Sequence, residues 1–227
     1  MNKGTGIIGT GSFLPDKILS NLDLEKMVET SDEWITTRTG IKERRILEEG
    51  KASSDMAVEA SKRALEAAKL SPLDIDLIIV ATMTSDMITP STACVVQDKL
   101  GCKNAAAFDL SAACSGFIYG LSVSYSFIKA GVYKNILLIG TESMSRIIDW
   151  EDRGTCILFG DGAGAAIIGE VPEDRGILQT EIGADGSGVE HLLIPAGGSM
   201  CPTTDTTVKD RLQYLKMEGS EVFKFAV

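Results

Sequence analysis

Continuous apolar runs alternate along this chain with segments whose apolar positions recur three or four residues apart. Thr5–Gly9 reads as a first strand, and Asn21–Thr30 and Ser31–Thr37 as short helices with Ser20 and Ser31 as caps. In Ser53–Leu70 the residues Ala57, Ala60, Ala64, Leu65 and Ala68 recur at helical spacing, with Ser53 or Ser54 placed to cap the helix and Pro72 to stop it. Ile75–Thr82 is apolar throughout, which predicts a strand buried on both faces. Thr92–Leu100 and Ser115–Ala130 predict helices ended by Gly101 and Gly131, and Ala105–Leu110 and Asn135–Gly140 predict further strands. This β-α-β-α-β rhythm argues for a parallel sheet with right-handed crossovers.

After Gly154 the rhythm changes. Thr155–Phe159 and Ala163–Glu170 both read as strands, joined by a tight hairpin-type turn at Gly160-Asp161-Gly162, with Ile177–Ile182 a candidate extension of this antiparallel part. Residues 183–206 read as loops, Asp210–Met217 is ambiguous, and Gly219–Val227 begins a helix with Ser220 as its cap and no terminator. The expected class is α/β, a mixed sheet flanked by helices.

Composition narrows the function. The chain has 227 residues, 44% hydrophobic and 24% charged, an ordinary globular balance. Apolar runs such as Ile136-Leu137-Leu138-Ile139 fall well short of the roughly 20 residues that a membrane span needs. The opening Met1-Asn2-Lys3-Gly4 has no apolar block of a signal peptide, so the expected location is cytoplasmic. A formal net charge of −10 argues against bulk affinity for nucleic acid or membrane, although Arg38, Lys42, Arg44 and Arg45 form a local basic cluster at what reads as a solvated helix end or turn. Cys94, Cys102, Cys114, Cys156 and Cys201 are odd in number and lack C-x-x-C spacing, which argues against a disulfide framework or a zinc site. Two glycine patterns are decoys. Gly4-x-Gly6-x-x-Gly9 lies inside a strand, and Gly160-x-Gly162-x-Gly164 is followed by a strand, so neither is a dinucleotide fingerprint; both read as turn and close-packing glycines.

The chemistry concentrates in Asp109-Leu110-Ser111-Ala112-Ala113-Cys114-Ser115-Gly116-Phe117, at a strand-to-helix junction. A cysteine there lies beside the unpaired N–H groups of a helix start, which favour thiolate over thiol, and its small neighbours admit a substrate closely. The alternative from position alone is a small buried hydrophobe.

This segment resembles the nucleophile segment of the β-ketoacyl-acyl-carrier-protein synthase III family. So do Gly6-Ile7-Ile8-Gly9-Thr10-Gly11-Ser12, Thr30-Ser31-Asp32-Glu33-Trp34-Ile35 with Thr39-Gly40-Ile41, Asp152-Arg153-Gly154-Thr155, and Phe159-Gly160-Asp161-Gly162-Ala163-Gly164-Ala165. The motifs run in order over nearly the whole chain. The resemblance implies a thiolase-like fold, layered α/β/α/β/α in the complete enzyme. It assigns residues 1–175 to the amino-terminal half that carries the nucleophile, 176–218 to capping loops, and 219–227 to the start of a second half.

What the resemblance implies chemically is an acyl-CoA primer that acylates Cys114, followed by malonyl-acyl carrier protein, whose decarboxylation yields the carbanion that attacks the acyl-cysteine. No metal or redox cofactor is needed; coenzyme A enters as a thioester substrate. Trp34 and Arg153 match the pair that sandwiches the adenine, Thr30 a contact to that ring, and Arg38 a contact to the nucleotide's phosphates. Thr89, Met144, Phe159 and Leu192 match positions that shape the acyl pocket, and the small Thr89 implies room for a longer or branched primer. The similar enzymes are homodimers paired through the segment around residues 84–115. Their catalytic histidine and asparagine match nothing up to Val227, and His191 lies in a loop unlike the family's histidine segment. The expectation is therefore part of a longer enzyme, accepting an acyl group but not condensing alone. The alternatives are another thiolase-fold acyltransferase of polyketide type, a redox-sensing thiol protein, and a non-catalytic coenzyme A-binding fragment.

Overall fold

A computed structural model describes residues 3–226; the sequence readings for Met1, Asn2 and Val227 lie outside them. In chain order the elements are β1 (Lys3–Phe13), β2 (Lys17–Ser20), α1 (Asn21–Leu24), α2 (Asp32–Thr39), β3 (Glu43–Ile46), α3 (Ser53–Ala68), β4 (Leu77–Ala81), α4 (Thr92–Leu100) and β5 (Ala106–Leu110). They continue with α5 (Gly116–Lys129), β6 (Ile136–Ser143), α6 (Arg153–Cys156), β7 (Asp161–Pro172), β8 (Leu192–Leu193), α7 (Asp205–Lys209), β9 (Lys216–Met217) and α8 (Gly219–Ala226). They pack as two compact units. One comprises the residues up to Pro15, Leu47–Ser143 and Asp161–Gly183; the other comprises Asp16–Ile46, Met144–Gly160 and the residues from Ala184 onward. This division by packing interleaves the chain, and so differs in kind from a division at residues 175 and 218.

The first unit is built on a five-stranded sheet in the order β1-β7-β6-β4-β5. β4 runs parallel to both β5 and β6, while β7 runs antiparallel to β1 and β6. Alternation along the strands feeds two cores. Ile78 and Val80 of β4 join Leu137 and Ile139 of β6 and Ile167 of β7 under α3 and α4. Leu77, Ile79, Ile136, Leu138 and Ile168 face the other way, against Phe117, Leu121 and Ile128 of α5. Full burial on both sides explains the unbroken apolar runs, and each such side chain contributes roughly 1.5–3 kcal/mol of transfer free energy. The predicted helices α4 and α5 and their αL glycines, Gly101 and Gly131, are present.

Several expectations are corrected. α3 ends at Ala68 and is capped by left-handed Lys69, with Leu70 N–H bonded to Leu65 O, so the stop precedes Pro72. Its first turn is capped from inside by Asp55, whose carboxylate accepts from Ala52 N–H, and not by Ser53 or Ser54. Residues 155–156 are helical, not strand, because Asp152 caps a short helix there, accepting from Gly154 N–H at 2.8 Å. No hairpin forms at Gly160-Asp161-Gly162; β7 starts at Asp161 and pairs with β6 and β1 instead. Ile177–Ile182 is irregular, although Ile177 N–H donates to Thr5 O. The predicted helix Asn21–Thr30 is only the short α1, and Ser220 lies inside α8 rather than capping it.

The second unit holds the antiparallel pairs β2-β3 and β8-β9 and a core of Leu24, Ile35, Met144, Ile148, Cys156, Ile157 and Leu215. Ser20 and Ser31 cap α1 and α2 as expected. No helix among the described residues is long and apolar enough to cross a membrane.

Candidate active site

β4, β5 and β6 are parallel, so their carboxyl ends lie on one side of the first unit's sheet, the edge where open α/β sheets assemble their sites. Cys114 sits there, exposed, between β5 and α5. The chain reverses through Ala113, whose φ of 45° is left-handed although it is not glycine. A non-glycine residue held there costs of order 1 kcal/mol, strain that the flanking strand and helix maintain. Gly116 lets the first turn of α5 lie on the end of β4: a Cβ there would come within 3.1 Å of Ala81 Cβ. Farther along, Tyr119 Oη donates to Gly183 O at 2.6 Å.

Asp109, within the nucleophile segment, points away from chemistry. Its carboxylate accepts from Thr92 and Ala93 N–H, both at 2.7 Å, and so anchors the start of α4 to β5. Glu142, near the end of β6, is a half-buried carboxylate that binds the loop leaving β4. It accepts from Met83 N–H at 2.8 Å, Thr84 N–H at 3.1 Å and Thr84 Oγ1 at 2.5 Å. Burial raises its pKa, and these donors oppose the rise.

The other cysteines differ from Cys114. Cys102 and Cys156 are fully buried, and burial pushes the Cys102 thiol up to about 11 and raises that of Cys156. Cys94 is also exposed, but its sulfur accepts from Ser91 Oγ at 3.2 Å on the first turn of α4.

The second unit gathers the residues that the sequence assigned to the nucleotide. Ser31 caps α2 through a bond from Trp34 N–H, which sets Trp34 on the first turn. The Arg38 guanidinium lies 4.4 Å from the centre of the Trp34 ring, and that of Arg153 lies 5.1 Å from it. Arg153 also donates to Glu29 O at 3.0 Å, so it is not consumed by an ion pair with Glu151 or Asp152. Thr30 Oγ1 is sealed from solvent and has no partner. The basic cluster is not one solvated patch: Lys42 is exposed, whereas Arg44 is buried and bonded to Asn21 Oδ1 and Ile157 O.

Of the acyl-pocket candidates, Met144 and Phe159 share the second unit's core, and Leu192 lines a cavity of about 640 Å³ with Val222 and Phe225. Thr89 lies in the first unit, exposed, before a cis bond to Pro90. His191 is partly exposed, its Nδ1 2.9 Å from Glu218 Oε2.

Nearby, Asp149 is buried between Arg211, which bonds both of its oxygens, and Lys216 at 3.5 Å. Chiefly through Arg211, its carboxyl is held down at about 2. Because the folded-state pKa is depressed, the stabilisation is complete above the unfolded value near 4 and disappears as pH falls through about 2. Asp149→Asn is expected to lower stability at pH 7 by about 1–2 kcal/mol, a range reduced because Arg211 faces water. The loss should largely disappear by pH 2, where the folded-state carboxyl is half protonated, as denaturant midpoints at both pH values can check. An equal deficit at both would disprove the assignment.

Residues 108–186 match the family described as 3-oxoacyl-[acyl-carrier-protein (ACP)] synthase III. The β-ketoacyl-[acyl-carrier-protein] synthase III of Caldanaerobacter subterraneus is 63% identical over 222 residues, covering 98% of this chain and 67% of that enzyme. The chain belongs to the β-ketoacyl-acyl-carrier-protein synthase III family. It spans about two thirds of the length of such relatives, as it does for the Clostridioides difficile enzyme, 54% identical over 100% of this chain and 69% of its own. Among solved structures, the synthase III of Aquifex aeolicus VF5 has a TM-score of 0.86 at 51% identity, covering 98% of this chain and 67% of that one. The priming β-ketosynthase of the R1128 polyketide pathway has a TM-score of 0.88 at 38% identity, covering 99% and 66%. The fold is therefore thiolase-like, and family members are acyl-transferring condensing enzymes.

Sequence reasoning missed Asn21, Arg44 and Glu142 as organising residues. Asn21 follows a strong cap and passes for a helix start, Arg44 sits among exposed cations, and Glu142 carries no periodic signal that distinguishes it from a surface acid.

Proposed function

We propose that this chain belongs to an enzyme of the synthase III reaction that opens fatty acid synthesis and supplies its acyl acceptor, Cys114. The thiolate attacks the carbonyl of an acyl-CoA, a C–S bond forms, and coenzyme A leaves as its thiolate. Malonyl-acyl carrier protein then loses carbon dioxide, and its carbanion takes the acyl group, freeing the Cys114 thiolate. The observation that carries this reading is the exposed cysteine at the carboxyl ends of the parallel strands, entering α5 in a chain of this family. Trp34 and Arg153 hold the adenine, Thr30 lies against it, and Arg38 meets the phosphates. Thr89, Met144, Phe159 and Leu192 shape the acyl pocket. The enzyme works in the cytoplasm as a homodimer, a reading supported by β5, an edge strand whose outer side no strand of this chain covers among the described residues.

Acyl transfer from radiolabelled acetyl- and isobutyryl-CoA, with Cys114→Ser as control, tests the proposal. Label on Cys114 supports it; label on another thiol, or none, overturns it. A second reading, a priming enzyme of polyketide type, is favoured by the likeness to the R1128 ketosynthase. A panel of primers offered with malonyl-acyl carrier protein separates the two. Trp34→Ala is expected to raise the acetyl-CoA concentration for half-maximal acylation about tenfold, the equivalent of one aromatic stack. An unchanged value would remove Trp34 from the site.

A further inference from the structure

We propose that Asn21 and Arg44 are positioning residues that set the slot between Trp34 and Arg153, and so the enzyme's preference for thioesters that carry a nucleotide. The inference rests on the reading above that this pair holds the adenine.

Both side chains are removed from water, Asn21 at 1% and Arg44 at 4% exposure. Asn21 uses both ends of its amide. Nδ2 donates to Asp32 Oδ1 at 2.7 Å and to Ile41 O at 2.8 Å; Oδ1 accepts from Arg44 Nη1 at 2.7 Å. Arg44 continues the chain, its Nη2 donating to Ile157 O at 2.6 Å. These acceptors are neutral, Nε has no partner, and burial lowers the guanidinium's pKa. A buried cation with neutral partners is a poor device for stability, since a well-packed apolar residue avoids the desolvation cost. The geometry supplies another use for it.

The contacts bracket the two elements of the slot. Asp32 opens α2 and Ile41 follows its end, so Asn21 holds both ends of the helix that carries Trp34 and Arg38. Ile157 is the residue that closes α6, whose first residue is Arg153. Arg44 therefore satisfies a carbonyl at one helix end while holding, through Asn21, the other helix. The direct tie from Arg153 Nη1 to Glu29 O holds only the tip of that side chain, whereas the buried hub fixes the backbones from which both planes project. A stacked ring makes its contacts within a few tenths of an ångström, so loosening α2 against α6 weakens the grip without touching a ligand.

The test compares acylation of Cys114 by acetyl-CoA and by acetyl-pantetheine, which lacks the nucleotide, in Asn21→Ala, Arg44→Lys and Trp34→Ala, read by intact mass. Lysine keeps the charge but cannot reach two acceptors in a fixed fork. Asn21→Ala and Arg44→Lys should each raise the half-saturating acetyl-CoA concentration about tenfold. The maximal rate, and the rate with acetyl-pantetheine, should stay within about twofold. Equal slowing with both thioesters, no change with either, or loss of the fold in both hub variants overturns the inference. The Trp34→Ala arm separates the two levels. If it leaves the preference for acetyl-CoA intact, the underlying adenine reading fails. If it erases the preference while both hub variants retain it, only the hub fails.

Discussion

Replacing Cys114 by alanine is expected to lower acyl transfer from acetyl-CoA to the protein by at least about a thousandfold, to the background of the remaining thiols. Those thiols sharpen the experiment. Cys102 and Cys156 are buried and their pKa values raised, which leaves the exposed Cys94 and the partly exposed Cys201 as internal competitors. A general thiol reagent is expected to modify Cys94 and Cys114 alike, because reagent access is what it reads. A thioester donor asks for more: a sulfur at a helix start, small neighbours, and backbone N–H groups near the carbonyl oxygen. Cys114 answers the first two of these, at the start of α5 among small residues, reached through left-handed Ala113 and followed by Gly116, which lies on Ala81. Cys94→Ala should therefore leave acyl transfer unchanged. Residual transfer above about 1% in Cys114→Ala, or its loss in Cys94→Ala, would place the chemistry elsewhere.

The parts of this molecule that were legible in its sequence are those whose signal is local. Buried strands announced themselves as unbroken apolar runs because α3 and α4 cover one face of the sheet and α5 the other. Ser20, Ser31 and Gly101 marked helix ends because capping needs only a few neighbouring residues. The strand-to-helix junction that carries Cys114 was legible for the same reason, read from nine consecutive residues. The errors cluster where partners lie far along the chain. Ala163–Glu170 looked like one arm of a hairpin, yet β7 pairs with β6 and, on its other side, with β1, more than 140 residues earlier by number. The Asn21–Arg44–Ile157 chain spans 23 residues at one step and 113 at the next, and no periodicity encodes such steps. Arg44 also broke the expectation that clustered cations share one solvated face. β3 is a strand, so its neighbours alternate between inside and outside, and Arg44 takes the inside place between the less buried Glu43 and Arg45.

Gly11→Val is expected to destabilise the protein by about 3 kcal/mol or more, which lowers the melting temperature by roughly 6–12 °C for a chain of this size. Gly11 has no need of an unusual backbone; what it needs is the absence of a side chain. A Cβ at this position would lie 2.2 Å from Ala60 O and 2.5 Å from Ala64 N, both main-chain atoms of α3. Main-chain atoms cannot rotate aside, so strand or helix must move as a body. Gly9 repeats the contact one turn along, 2.6 Å from Ala64 O and from Ala68 N, which explains why α3 presents alanines to β1 at that spacing. The glycines that mimic a dinucleotide fingerprint thus begin a run whose later members let a strand touch a helix backbone. β1 is an edge strand paired only with β7, so displacing it loosens a border of the sheet and not its centre. Gly164→Ala on β7 is the matched control: nothing lies within 4 Å of its Cβ position, and its effect should stay within about 0.5 kcal/mol. Thermal melts of Gly11→Val beside Gly164→Ala decide the matter, since equal melting temperatures would mean that α3 and β1 do not approach as closely as their backbones indicate. Because β1 and β5 are opposite borders of the sheet, folded Gly11→Val should still accept an acyl group at Cys114, which separates a defect in packing from one in chemistry.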